Sequence, residues 1–170
     1  MSITEQTPTT ANRTVVRHTD QTPARYFHNG LVTTLATLEE TGGAYCLMEH
    51  VMTAASNPPV HIHLVEDEAF CVLEGEMEIV VGGESVIAGP GTYALAPRGV
   101  EHWFRVLSDQ VRLLVITSGE APAGGSPEFF AQAGTAAPAR ELPTPEAPDA
   151  AALAALGEPR GIVLVGPPPA

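Results

Sequence analysis

Four side chains in two stretches of this sequence have the types and spacing of a metal centre. In PVHIHLVEDEAFCVLEG, Pro59 to Gly75, His61 and His63 stand two positions apart, and Glu68 follows with four residues between. The second stretch, GTYALAPRGVEHWF from Gly91 to Phe104, contributes His102. A strand repeats every two residues, so His61 and His63 project from one face and can bind one ion together. Glu68 leads into AFCVLEG, where alternation places Phe70 and Val72 on its own face, the interior side. Glu66 and Asp67 fall in the connection, where solvated carboxylates are the ordinary case. His102 follows Pro97-Arg98-Gly99, a turn in which Pro fixes one backbone angle and Gly tolerates the unusual one, and which aims His102 back inside.

Three neutral imidazoles and one carboxylate suit a divalent transition ion (Fe, Ni, Mn, Co, Cu or Zn) rather than the all-oxygen shells of Ca or Mg. Four protein donors leave one or two positions open on a five- or six-coordinate ion, and an open position is what metal-assisted chemistry needs. Taken one at a time, any of these histidines is more often a core or surface residue than a ligand; it is their joint spacing that changes the reading. Met48, His50, Phe70 and Phe104 are the candidate pocket residues, Phe104 because it shares the inward face of His102 while Trp103 does not.

Short β-branched and apolar runs bounded by turn residues surround these positions: LVTTLAT, GAYCLMEHVMT, VHIHL, AFCVLEG, MEIVV, SVIAG, TYALAP, EHWFRVL and VRLLVIT. No helical pattern interrupts them between Leu31 and Thr117, which excludes alternating βαβ units. The expected fold is all-β, a small barrel or jelly roll that also disposes of exposed strand edges. Residues 1–25 read as a flexible polar arm, 26–118 as the barrel and 119–170 as an Ala/Pro-rich extension. Within the extension, SPEFFAQAG reads as a short helix with Ser126 as N-cap, Pro127 at the first helical position and Gly134 ending it, and DAAALAALG as a second short helix, both packing on the barrel. GIVLVGPPP is too short to stand alone and is expected to dock as an edge strand or in a groove.

Twenty acidic against eight basic side chains give a net charge of −12, a field that repels phosphate backbones and anionic lipid surfaces, so neither nucleic acid nor membrane is an expected partner. The N-terminus lacks the apolar stretch of a signal peptide and no apolar run is long enough to cross a bilayer, which points to a cytoplasmic location. Cys46 and Cys71, the two cysteines, lie inside strand patterns and read as buried free thiols.

His61, His63, Glu68 and Gly75, followed by Gly91, Pro97, Gly99 and His102, match the two-part signature of the cupins, so the chain resembles a single-domain cupin. Two signature positions depart, with Ala55 where the family has Gly and Val106 where it has Asn; neither is a ligand. PPVHIHLVEDEAFCVLEGE, AGPGTYALAPRGVEHWF and GIVLVGPPP further resemble bacterial quercetin dioxygenase-like monocupins. That resemblance implies a metal held by His61, His63, Glu68 and His102, and oxygenative ring opening of a flavonol or similar polyphenol with release of carbon monoxide. It implies that Glu68 also accepts the substrate hydroxyl proton, that the deprotonated substrate binds the metal and that O2 attacks the activated ring. A homodimer is the implied assembly, for which the polar arm and the apolar LVTTLAT strand are suited. A shared fold hosts unrelated activities, so a metal-dependent isomerase, cyclase or decarboxylase and a non-catalytic metal- or ligand-binding domain stand as alternatives.

Overall fold

The computed structural model describes residues 14–168. The first 13 residues of the expected arm and the last two residues of the extension lie outside them. In chain order the strands of the barrel region are β1 (Arg25–Phe27), β2 (Gly30–Ala36), β3 (Cys46–Met52), β4 (Val60–His63), β5 (Asp67–Glu74), β6 (Met77–Val81), β7 (Glu84–Ala88), β8 (Tyr93–Ala96), β9 (His102–Val106) and β10 (Val111–Ser118). There follow α1 (Gly125–Ala133), β11 (Thr135–Ala136), α2 (Ala150–Gly157) and β12 (Ile162–Gly166). Among the described residues the strands form two antiparallel sheets, ordered β11-β1-β2-β3-β10-β5-β8 and β12-β4-β9-β6-β7. The fold is an all-β jelly roll with two short helices. Each expected strand run has its counterpart, while β1 and β11 had no pattern long enough to read.

Alternation along the strands builds the core between the sheets. On β10, Val111, Leu113, Val115 and Thr117 are buried while their neighbours are half-buried. Met48, Phe70, Val72, Met77, Ile79 and Leu113 meet there, none more than 1% exposed. Cys46 is buried, Cys71 is half-buried and both are free thiols; burial, assisted by nearby carboxylates, pushes the Cys46 thiol up to about 12.

The chain on either side of the barrel is tied to its outer surface by arginines. Arg17 donates to the Leu35 carbonyl at 2.8 Å and pairs with Glu40, whose carboxyl is held down at about 2 by that guanidinium and by the Thr37 amide. Arg140, from the extension, donates to the Thr22 carbonyl and the Thr33 hydroxyl and reaches Glu49 at 3.2 Å. Glu49 is buried on the outward side of β3 because Arg140 and Arg112 cover it. The strand β2 pairs with β1 on one side and β3 on the other.

In the extension, α1 starts at Gly125 and brings Phe129 and Phe130 into edge-on contact with Phe27, at ring-centre distances of 5.5 and 4.8 Å. The Asp149 carboxylate caps α2 by accepting from the Ala152 amide. GIVLVG then returns as β12, the edge strand beside β4, with Ile162 opposite His63 and Leu164 opposite His61. Among the described residues no helix is long and apolar enough to cross a membrane.

Gly75 closes the turn from β5 to β6 at φ +80°, and an added Cβ would lie inside contact distance of the Gln110 carbonyl and 2.9 Å from Val111 Cα. Both backbone neighbours belong to the segment leading into β10 and cannot rotate away. Gly75→Ala is expected to cost more than about 2 kcal/mol through the left-handed strain and the clash together. Denaturant unfolding should show a lower midpoint with an unchanged slope.

Candidate metal centre

Strand β4 presents His61 and His63 inward, and β9, paired with it so that His102 lies opposite His61, presents the third ring. Glu68 arrives from the facing sheet on β5. The centre therefore bridges the two sheets, with one ligand-type atom from each of the four residues lying within 4.8 Å of the others. All four residues are buried. Glu68 Oε2 lies 3.0 Å from His102 Nε2, 3.6 Å from His63 Nε2 and 3.9 Å from His61 Nε2.

The opposite nitrogen of each ring fixes what Nε2 can do. His61 Nδ1 lies 2.8 Å from the Pro59 carbonyl and His102 Nδ1 lies 2.9 Å from the Val100 carbonyl. A carbonyl only accepts, so each Nδ1 carries the proton and each neutral ring turns an Nε2 lone pair toward Glu68. His63 Nδ1 lies 3.1 Å from Ser126 Oγ, whose own proton goes to Glu66 Oε2 at 2.6 Å, giving His63 the same tautomer. Three lone pairs and a carboxylate converging on one point repel one another unless a positive charge sits among them. This donor set fits a divalent cation of the transition series.

The titration of the residues reflects the same crowding. Burial, followed by His102, pushes His61 down to about 3. Burial by itself would raise Glu68, but in the metal-free site the positive charge of rings that take up a proton, His63 foremost, outweighs it and holds the carboxyl below its ordinary range. Burial would lower His63, and the carboxylates of Glu68 and Glu66 outweigh it in turn and raise that ring.

The turn before β9 is locked in place rather than free. The Gly99 amide donates to the His63 carbonyl at 2.7 Å, and Arg98 holds Asp67 through its backbone amide and a two-pronged guanidinium contact. Arg98 keeps the Asp67 carboxyl at about 2. Asp67, expected in solvent, is thus the strut between the two ligand-bearing segments. Glu66, also expected in solvent, is 1% exposed: it is drawn inward by the N-terminus of α1, a partner 60 residues away in sequence that no local pattern could announce.

A mostly apolar cavity of about 80 Å³ reaches the centre, and His61, His63 and Glu68 form part of its wall. Of the candidate pocket residues, His50, Phe70 and Phe104 line it. Met48 does not; it shares the inward face of β3 but sits fully buried in the core below, because the cavity opens toward the β1 and α1 end of that strand. Phe27, Phe129, Phe130, Leu153 and Leu164 also line the cavity and were not among the expected pocket residues. His50 is buried edge-on against Phe130, its Nε2 has no hydrogen-bond partner among the described residues, and burial pushes it down to about 4.

Residues 47–117 match the family model described as a cupin domain. Over 59 residues the chain is 36% identical to quercetin 2,3-dioxygenase of Bacillus subtilis (strain 168), a match covering 35% of this chain and 18% of that protein's length. Among solved structures, the chain is similar to the polyketide cyclase RemF of Streptomyces resistomycificus, at 26% identity and TM-score 0.54 over 64% of this chain and 81% of that one. It is also similar to a predicted oxalate decarboxylase of Thermotoga maritima, at 21% identity and TM-score 0.55 over 63% of this chain and the whole of that one.

Two outcomes follow. Replacing His63 or Glu68 by Ala should strip a divalent metal that the wild-type protein retains on purification, read by elemental analysis; wild-type metal content in either variant would remove those residues from the site. In the metal-free protein, His50 stays neutral when the unfolded chain takes up a proton. Its contribution to stability is complete above the ordinary value of 6.5 and is lost as pH falls through about 4, a change of about 3 kcal/mol. His50→Leu should flatten that stretch of the stability–pH curve.

Proposed function

With a cupin domain as the barrel of this chain, we propose that the protein is a metal-dependent dioxygenase of the quercetinase kind, cleaving a ring in a flavonol or similar small phenolic substrate. The observation that carries the reading is the buried convergence of three Nε2 atoms and one carboxylate on a single point beside an apolar cavity. Partial identity to a quercetin 2,3-dioxygenase supports the choice of chemistry. His61, His63, Glu68 and His102 hold the metal, which when bound supplies Lewis acidity toward a substrate oxygen and, as a redox-active ion, electrons toward O2.

Each protein group has a part set by its surroundings. The Pro59 and Val100 carbonyls keep His61 and His102 in the ligating tautomer without any rearrangement. The Glu68 carboxylate lies 3.0–3.9 Å from the three ring nitrogens, where a carboxylate beside the metal would be placed to accept the proton of an incoming hydroxyl. Once that proton is taken up, burial favours the neutral acid. His50, neutral and without a partner at Nε2, offers the cavity wall its polar contact for a phenolic oxygen. Phe70, Phe104 and Phe130 present ring faces and edges to an aromatic substrate and exclude water.

The similarity to a polyketide cyclase favours a second reading, in which the same centre polarises a carbonyl of a polyphenolic substrate and no O2 is consumed. An oxygen electrode separates the two. Protein loaded in turn with Fe, Ni, Mn, Co, Cu or Zn and offered a flavonol panel should take up O2 with at least one metal, and Glu68→Ala should abolish the uptake. Turnover without O2 consumption supports the cyclase reading, and saturable binding without turnover leaves a ligand-binding domain. A homodimer belongs to the same proposal, and a monomer mass by sedimentation equilibrium would remove it.

A further inference from the structure

Two of the three histidines are fixed by carbonyls two residues away on their own chain segment, but His63 is fixed from 63 residues downstream. Its Nδ1 meets Ser126 Oγ at the first turn of α1, and Glu66 Oε2 accepts both the Ser126 hydroxyl, at 2.6 Å, and the Ser126 amide, at 2.8 Å. All three residues are buried, Ser126 and Glu66 at no more than 1% exposure. Gly125 is part of the arrangement: at φ +58° it turns the chain over the carboxylate, and an added Cβ would collide with Glu66 Oε1. The same helix carries Phe129 and Phe130, which close the cavity from one side. Ligand pockets for drug-sized molecules run to roughly 300–1,000 Å³, so a cavity of about 80 Å³ admits a polyphenol only if this cover shifts.

We propose that Glu66 and Ser126 form a positioning relay that couples metal binding at His63 to the seating of α1 over the cavity. The inference rests on the reading of His61, His63, Glu68 and His102 as a metal site. The Ser126 hydroxyl proton is committed to Glu66, so Oγ has only a lone pair to offer His63, and the ring must donate from Nδ1 and ligate from Nε2. Lift α1 and His63 loses the partner that selects this tautomer. By reciprocity, an ion that needs Nε2 unprotonated favours the seated helix as much as the seated helix favours the ion. The metal-loaded centre thus holds the cover down, and opening for substrate transiently loosens one ligand of four.

The test uses the full chain with Co(II) or Zn(II) alone, combining chelator competition for affinity with hydrogen exchange of residues 125–133. In the wild type, metal should slow exchange across α1. Ser126→Ala should weaken metal binding by about 10–100-fold and make exchange in α1 the same with and without metal. Ser126→Thr, which keeps a hydroxyl, should restore both. Gln132→Ala removes an exposed contact to Glu128 on the same helix and should leave metal affinity unchanged. If Ser126→Ala does not fold, Glu66→Gln serves, with weakening in the same direction. Wild-type affinity and wild-type metal-dependent protection in the Ser126 and Glu66 variants would overturn the relay while the metal site stands. A wild-type protein that binds neither ion would overturn the metal reading and the relay with it.

Discussion

Everything in this molecule is arranged around a repulsion. Three imidazole lone pairs and a carboxylate are brought to within 4.8 Å of one another in the buried interior. Like-signed groups at such distances attract only through a cation placed among them, and the arrangement is one that a cation would fit. Each ring is turned by a hydrogen bond at its far nitrogen, so the near nitrogen has no choice but to offer a lone pair.

The jelly roll provides the rigidity this requires. His61, His63 and His102 lie on adjacent strands of one sheet, while Glu68 lies on the other, so the distance between sheets is also the ligand spacing. The Asp67–Arg98 pair joins the first residue of β5 to the turn before β9, and β12 covers the outer edge of β4 with its own backbone hydrogen bonds. The exposed pair adds little stability by itself. Its value is in register, because it holds the turn that delivers His102 against the strand that delivers His63.

Burying charge elsewhere follows the same logic. Glu49 is covered by two arginines on the outside of the barrel, Glu66 by the hydroxyl and amide of Ser126, and in both cases one partner comes from the extension. The extension is therefore more than a tail on a finished barrel: it completes the outer face, closes the cavity with aromatic side chains and reaches one of the metal-facing histidines.

Much of the fold was legible because its information is local. A period of two fixes which face a residue takes, so the nine runs read as strands, the inward placement of His61, His63, Glu68 and His102, and the outward turn of Trp103 relative to Phe104 all follow from the sequence. Both short helices were also read, but α1 starts at Gly125, two residues before the expected Pro127, and Ser126, the expected N-cap, turns its hydroxyl to Glu66 instead. What the sequence alone determined is thus the strand content, the faces and which four polar side chains converge in the interior. Only the tertiary structure decided which sheet each of the four stands on, that Met48 packs in the core instead of the cavity, and that Glu66 is buried beneath a helix 60 residues away. Those outcomes depend on which distant segments meet, and a pattern of period two carries no record of the partner across the gap.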